Sequence, residues 1–160
     1  MWLFGAIDTE SRFVIDYEPS PIKFGYNATE LFRSSINLAK KTPDAITTDA
    51  LSGFEQGFNS TMACRKGTKT IHRKDAAINK RHANNNTYER LNGTVRRRIK
   101  CVPGFQALLP ALHVLFLAYY NLFRPHLGIG KKTPAEAIGV VLTGTNKWLT
   151  AIRHAALFCT

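Results

Sequence analysis

The chain has 160 residues, 44% of them hydrophobic and 11% aromatic, which suits one domain with its own core and excludes an intrinsically disordered chain. Lysine and arginine number 22 against 11 acidic residues; the net charge of +11 points to a polyanionic partner, nucleic acid before an anionic membrane surface. The three cysteines, Cys64, Cys101 and Cys159, form no CxxC pair, which excludes a disulfide scaffold and a four-cysteine zinc site and suits a reducing cytosol.

Residues 1–7 are apolar but short and carry no basic flank, so no signal peptide is expected. Residues 2–7 read as a strand, and their near-continuous apolar run suits burial on both faces. After the polar turn Thr9-Glu10-Ser11, residues 12–17 alternate as a second, hairpin-paired strand. Pro19 and Pro21 should stop or bend it, because proline donates no ladder hydrogen bond. Residues 22–24 suit a short edge strand. Asn27-Ala28-Thr29-Glu30 opens a helix, with Asn27 as N-cap and Glu30 three positions on. Leu31, Ile36 and Leu38 supply its apolar face, and Lys40-Lys41 favour its C-terminal end.

Residues 45–48 read as a buried strand ending at Asp49, residues 51–58 as a short helix, and residues 69–72 as the last of five strands. The stretch 75–86 is polar and basic and reads as a loop. A helix runs from Asn86 or Thr87 to Lys100, and Val102-Pro103-Gly104 break it. A long apolar helix over 105–123 follows, with Pro110 in its early turns and Pro125 at its end. Its apolar run is nearer the length of a buried helix than of a bilayer span, so no membrane partner is expected. Thr133 caps a further short helix with Pro134 at its first position, and residues 147–160 are amphipathic. This order describes an α/β fold, a mixed sheet covered by helices.

Most acidic residues suit helix first turns, loops or solvated hairpin positions. Asp8 and Asp49 differ: each ends an apolar run that reads as a central strand. Adjacent strands lie about 4.8 Å apart, so two such ends bring carboxylates within reach of one metal pair. Glu89 sits on the helix with the densest positive charge, either as a third metal ligand or as an intrahelical partner of the surrounding arginines. The five histidines have no zinc spacing with any cysteine.

Five stretches, in order, are similar to those of a known family. They are residues 2–12 around Asp8, residues 23–29, Ile46-Thr47-Thr48-Asp49, residues 84–94 around Glu89, and Tyr119-Tyr120-Asn121-Leu122-Phe123-Arg124-Pro125-His126 with residues 132–137. Together they make the chain resemble the catalytic core of the Asp-Asp-Glu transposases of bacterial and archaeal insertion sequences, relatives of retroviral integrases. The resemblance implies a ribonuclease H-like fold with a mixed five-stranded sheet flanked by helices. Residues 1–139 would form the core, and residues 140–160 a C-terminal helical tail of the same domain. It implies that Asp8, Asp49 and Glu89 hold two magnesium ions, with manganese a plausible substitute, for DNA end cleavage and strand transfer in transposition. Oxygen donors suit these hard cations.

DNA is the implied partner, bound at its ends by a homo-oligomer, most simply a dimer, in the cytoplasm at the nucleoid; no small-molecule cofactor is implied. Candidate DNA contacts are Lys80 and Arg81, then Arg90, Arg96, Arg97, Arg98 and Lys100, and finally Arg124, His126, Lys131 and Lys132. A solvated helix face is the alternative for the arginine run, and a structural role the alternative for His126. Three departures from the family stand out. Ala50 follows the second aspartate where glycine is usual. Glu89 follows Asp49 by 40 positions, more than is common. Met1 falls almost at the first strand, so the usual helix-turn-helix in front is expected to be missing. A catalytically silent, basic DNA-binding or dimerising remnant is therefore the second reading. A ribonuclease H-like nuclease of other specificity is the third.

Overall fold

A computed structural model describes residues 2–20, 22, 24–49, 51–63, 69–75, 86–100 and 109–157. Strand β1 (Trp2–Ile7) shows why its sequence is apolar throughout. Side chains alternate across a strand, and here both faces are covered. Leu3 and Ile7 pack on a cluster of Val14, Leu91, Val95 and Tyr120. Phe4, 4% exposed, turns the other way, its ring centroid 6.0 Å from that of Phe54.

Strand β2 (Val14–Ser20) runs antiparallel to β1, in register from Trp2↔Ser20 to Ile7↔Val14, with a bulge that passes over Ile15. It starts later than residue 12 and continues through Pro19, where the sequence suggests a stop. Among the described residues β2 pairs with β1 alone, so positions facing away from β1 need no donor and proline is tolerated there. The edge strand expected at residues 22–24 is not seen among the described residues there: Ile22 and Phe24 lie in no strand and are exposed, and residue 23 lies outside them. The Ser20 hydroxyl donates to the Ile22 carbonyl at 2.8 Å and accepts from its N–H at 3.3 Å, turning the chain instead.

Helix α1 (Gly25–Ala39) begins two residues before Asn27. Asn27 sits at the third helical position, where its Oδ1 accepts from the Phe24 N–H at 3.2 Å and its Nδ2 donates to Ser20 Oγ at 3.1 Å. It secures the start from inside the helix rather than capping it. Glu30 pairs with Arg33 at 3.2 Å. The buried face is Ala28, Leu31, Phe32 and Ile36; Leu38 is 60% exposed.

Strand β3 (Ala45–Asp49) and strand β4 (Ile71–Asp75) pair in parallel, from Ala45↔Ile71 to Asp49↔Asp75. The last strand thus lies two residues beyond its expected start. Between β3 and β4 come helix α2 (Ser52–Phe58) and a π-helical turn, Asn59–Ala63. Helices α1 and α2 touch so closely that a Cβ on Gly57 would lie 2.9 Å from the Ala28 carbonyl carbon. Phe32, Ile36 and Met62, with Ile46, Phe54 and Phe58, make the second apolar cluster.

Helices α3 (Asn86–Lys100) and α4 (Leu109–Leu122) close over the β1–β2 hairpin. The side-chain amide of Asn121 clasps the Val14 backbone, accepting from its N–H at 3.0 Å and donating to its carbonyl at 2.9 Å. A 3-10 turn (Leu127–Ile129) leads to helix α5 (Pro134–Ala137), held by a complete capping box. Thr133 Oγ1 accepts from the Glu136 N–H at 3.1 Å, and Glu136 Oε2 accepts from the Thr133 N–H at 2.9 Å. Helix α6 (Lys147–Leu157) docks through Trp148, stacked on Phe123 with centroids 4.0 Å apart.

The architecture is mixed α/β. Among the described residues, four strands form two two-stranded sheets, and no five-stranded sheet is present. No described helix is long and apolar enough to cross a membrane.

Candidate functional site

Asp8 follows β1 directly, and the turn after it fixes its carboxylate. Its Oδ2 accepts from the Ser11 N–H at 2.8 Å and from the Ser11 hydroxyl. Its own N–H donates to the Phe13 carbonyl at 2.9 Å, closing the hairpin. Asp8 lines a cleft of about 420 Å³ together with Glu10, Lys132 and Ile138.

Asp49, the last residue of β3, is exposed, and its Oδ1 accepts from the Leu51 N–H at 3.2 Å ahead of α2. It lines a different cleft, of about 130 Å³, with Glu55, His72 and Lys74. Lys74 lies 2.6 Å from Glu55 and holds that carboxyl below its ordinary range. His72 stacks on Phe58 at 4.6 Å and bonds Thr48 at 2.9 Å; burial, then Lys74, pushes its imidazole down.

Glu89 stands exposed in the first turn of α3 and forms no ion pair with any described residue. The intrahelical-partner alternative is therefore not seen among the described arginines. Its neighbour Tyr88 anchors that turn, donating its hydroxyl to the Leu3 carbonyl at 3.0 Å. Burial pushes the Tyr88 phenol up to about 12, and Asp49 is among the charges it feels. A second tie comes from Arg12, whose Nη1 donates to Thr87 Oγ1 at 2.6 Å. The first turn of α3 is thereby bolted both to β1 and to the turn after Asp8.

These ties join the first turn of α3 to β1 and to the Asp8 turn; neither involves β3, and Asp49 lines a different cleft from Asp8. Among the described residues, no three histidine, cysteine, aspartate or glutamate side chains gather closely enough to hold a metal ion. Local bonds explain part of this: Asp8 is turned onto Ser11, and Asp49 onto the start of α2.

Of the candidate DNA contacts, Lys80 and Arg81 lie outside the described residues, and Lys100 ends α3. Arg90, Arg96, Arg97 and Arg98 are exposed along α3, while Leu91 and Val95 of the same helix are buried. Lys131 and Lys132 are exposed, and Lys132 shares the Asp8 cleft. Arg124 lies 5.9 Å from the Tyr120 ring, which His126 meets edge-on at 4.6 Å. The sequence reading singles out neither Arg12 nor Tyr88, although both stand inside stretches that carry the resemblance. Nothing in spacing or periodicity distinguishes a tyrosine that ties two elements from one that merely fills a core.

No family model matches the chain, and no curated protein matches it.

Proposed function

We propose that the chain is the catalytic core of an insertion-sequence transposase of the Asp-Asp-Glu class, built on a ribonuclease H-like fold. It would cut and join DNA ends with magnesium, acting as a dimer on DNA at the nucleoid. The five ordered sequence stretches support the family. The observation that carries the site is the double tie of the first turn of α3, through Tyr88 to Leu3 and through Thr87 to Arg12. It brings the segment bearing Glu89 to the strand that delivers Asp8, and Tyr88 feels the charge of Asp49.

The donor chemistry fits magnesium, since Asp8, Asp49 and Glu89 offer only carboxylate oxygens. Their side chains, as oriented, do not share one ion among the described residues, so binding would need Asp8 or Asp49 to turn from its local partner. Magnesium, when bound, would supply Lewis-acid activation of the attacking oxygen and charge stabilisation for the leaving one. The chain's own part is to carry the carboxylates at strand ends and to present a basic face to the phosphates.

Asp49→Asn tests the reading because it keeps the shape and removes the charge. It should abolish magnesium-dependent cleavage of duplex DNA while leaving DNA affinity unchanged or slightly raised. Equal cleavage by both proteins would remove the reaction from this site. The unconverged carboxylates favour the second reading, a catalytically silent DNA-binding remnant. A folded wild-type chain that binds but never cleaves DNA would establish it.

A further inference from the structure

The turn after Asp8 sends Arg12 into a region already holding another arginine. Arg12 has φ 64, a left-handed conformation uncommon for a residue with a side chain. One of its guanidinium nitrogens bonds Thr87, and the other lies 3.7 Å from where a Cβ on Gly128 would stand. Arg124, beyond α4, lies 5.9 Å from the Tyr120 ring, which His126, two residues before Gly128, meets at 4.6 Å. Both guanidiniums bear on the same two rings. The His126 imidazole is pushed below its ordinary value by burial first, then by Arg124 and Arg12. The Tyr120 phenol is raised by burial, against the pull of Arg124 and then Arg12.

Neither arginine forms an ion pair with a described residue. Asp8, four positions from Arg12, gives its carboxylate to Ser11 instead. Two half-buried guanidiniums beside one aromatic pair, neither with a carboxylate partner among the described residues, suit a shared anion, and a planar guanidinium suits phosphate. Lys132 lines the adjoining Asp8 cleft, and the arginines of α3 begin on the helix that Arg12 touches. Lys132 shares its cleft with Asp8 and Glu10, so the cations that extend this pair are the α3 arginines, which suit a chain of phosphates better than one isolated anion.

We propose that Arg12 and Arg124 clamp a single backbone phosphate of a DNA strand beside the Asp8 turn. This rests on the DNA-binding part of the reading above and is independent of its catalytic part. The fluorescence anisotropy of a labelled duplex, titrated at several salt concentrations, tests it. Arg12→Gln and Arg124→Gln together should lower the steepness of the log–log salt dependence by about 0.9, the contribution of one phosphate. Each single change should weaken binding roughly ten-fold at low salt. Arg124→Lys should restore part of this, because it returns the charge without the fork.

A fall of about 1.8 would mean two separate phosphates and overturn the shared clamp. An unchanged slope would overturn the site, and a lowered melting temperature in Arg12→Gln would then mark Arg12 as a strut to Thr87. If Arg12→Gln fails to fold, Arg124→Gln decides alone, since the Arg124 side chain makes no hydrogen bond or ion pair with a described residue; an unchanged affinity and slope there overturn the clamp. Pyrophosphate at matched ionic strength should displace the duplex only at millimolar levels. Displacement at micromolar levels would assign the clamp to a free phosphate ligand. Asp49→Asn should leave the slope unchanged, so loss of cleavage and loss of the clamp are read separately.

Discussion

Gly5 lies in the middle of β1 with the Tyr88 ring against it. A Cβ there would stand 2.8 Å from Tyr88 Cε2 and 3.0 Å from Tyr17 Cδ2. Gly5→Ala should therefore displace Tyr88, costing roughly 1–3 kcal/mol, the usual range for forcing a group into a filled core. Urea denaturation measures that cost, and a fall in magnesium-dependent cleavage larger than Tyr88→Phe produces would follow from the shift of Glu89. Tyr88 also gives the fold a pH signature. Its phenol titrates near 10.0 when free and about 12 in the fold, so the native state holds its proton more tightly. Stability from this group is complete below pH 10 and is lost as pH rises towards 12. Tyr88→Phe should remove part of the loss; an identical alkaline profile in wild type and variant would contradict the burial described for this ring.

Helix α3 joins the apolar and the basic sides of the molecule. Leu91 and Val95, one turn apart, are 2% and 1% exposed, while Arg96, Arg97 and Arg98 face solvent. Neutralising all three should flatten the salt dependence of DNA binding by up to about 3 units and weaken every sequence alike. A strong preference for one duplex that survives high salt would show base reading that this basic face does not explain. Helix α4 makes its contribution through Asn121, which satisfies both backbone groups of Val14. Asn121→Leu should cost about 1–3 kcal/mol by denaturant unfolding, because two buried backbone groups lose partners.

The elements themselves were largely legible, since β1, β3, α2 and α3 announce themselves by apolar runs, caps and prolines. The β2 start, the α1 cap and the edge strand were not. A bulge at Ile15, the Asn27 amide and the Ser20 hydroxyl decide those points, and each depends on contacts made after the chain has folded. In the candidate site, the strand-end aspartates stood out because charge interrupts an apolar run. Arg12, Tyr88 and Asn121 did not, because a long-range hydrogen bond leaves no periodic trace in the sequence.

Strand β1 joins the two apolar clusters, with Leu3 and Ile7 on one and Phe4 reaching Phe54 beside the other. Around this doubly covered strand the chain carries a charge of +11, and Asp8, Asp49 and Glu89 stand at element ends among that excess. The central claim is that these three carboxylates share divalent metal ions. Titrating the folded chain, bound to a short DNA duplex, with manganese and following free ion by electron paramagnetic resonance tests it most directly. Bound manganese that magnesium displaces is the expected result. Asp8→Asn and Glu89→Gln should each weaken binding by more than the roughly ten-fold that loss of an outer-shell partner costs. Binding that is equal in all three proteins, or absent from the wild type, would contradict it.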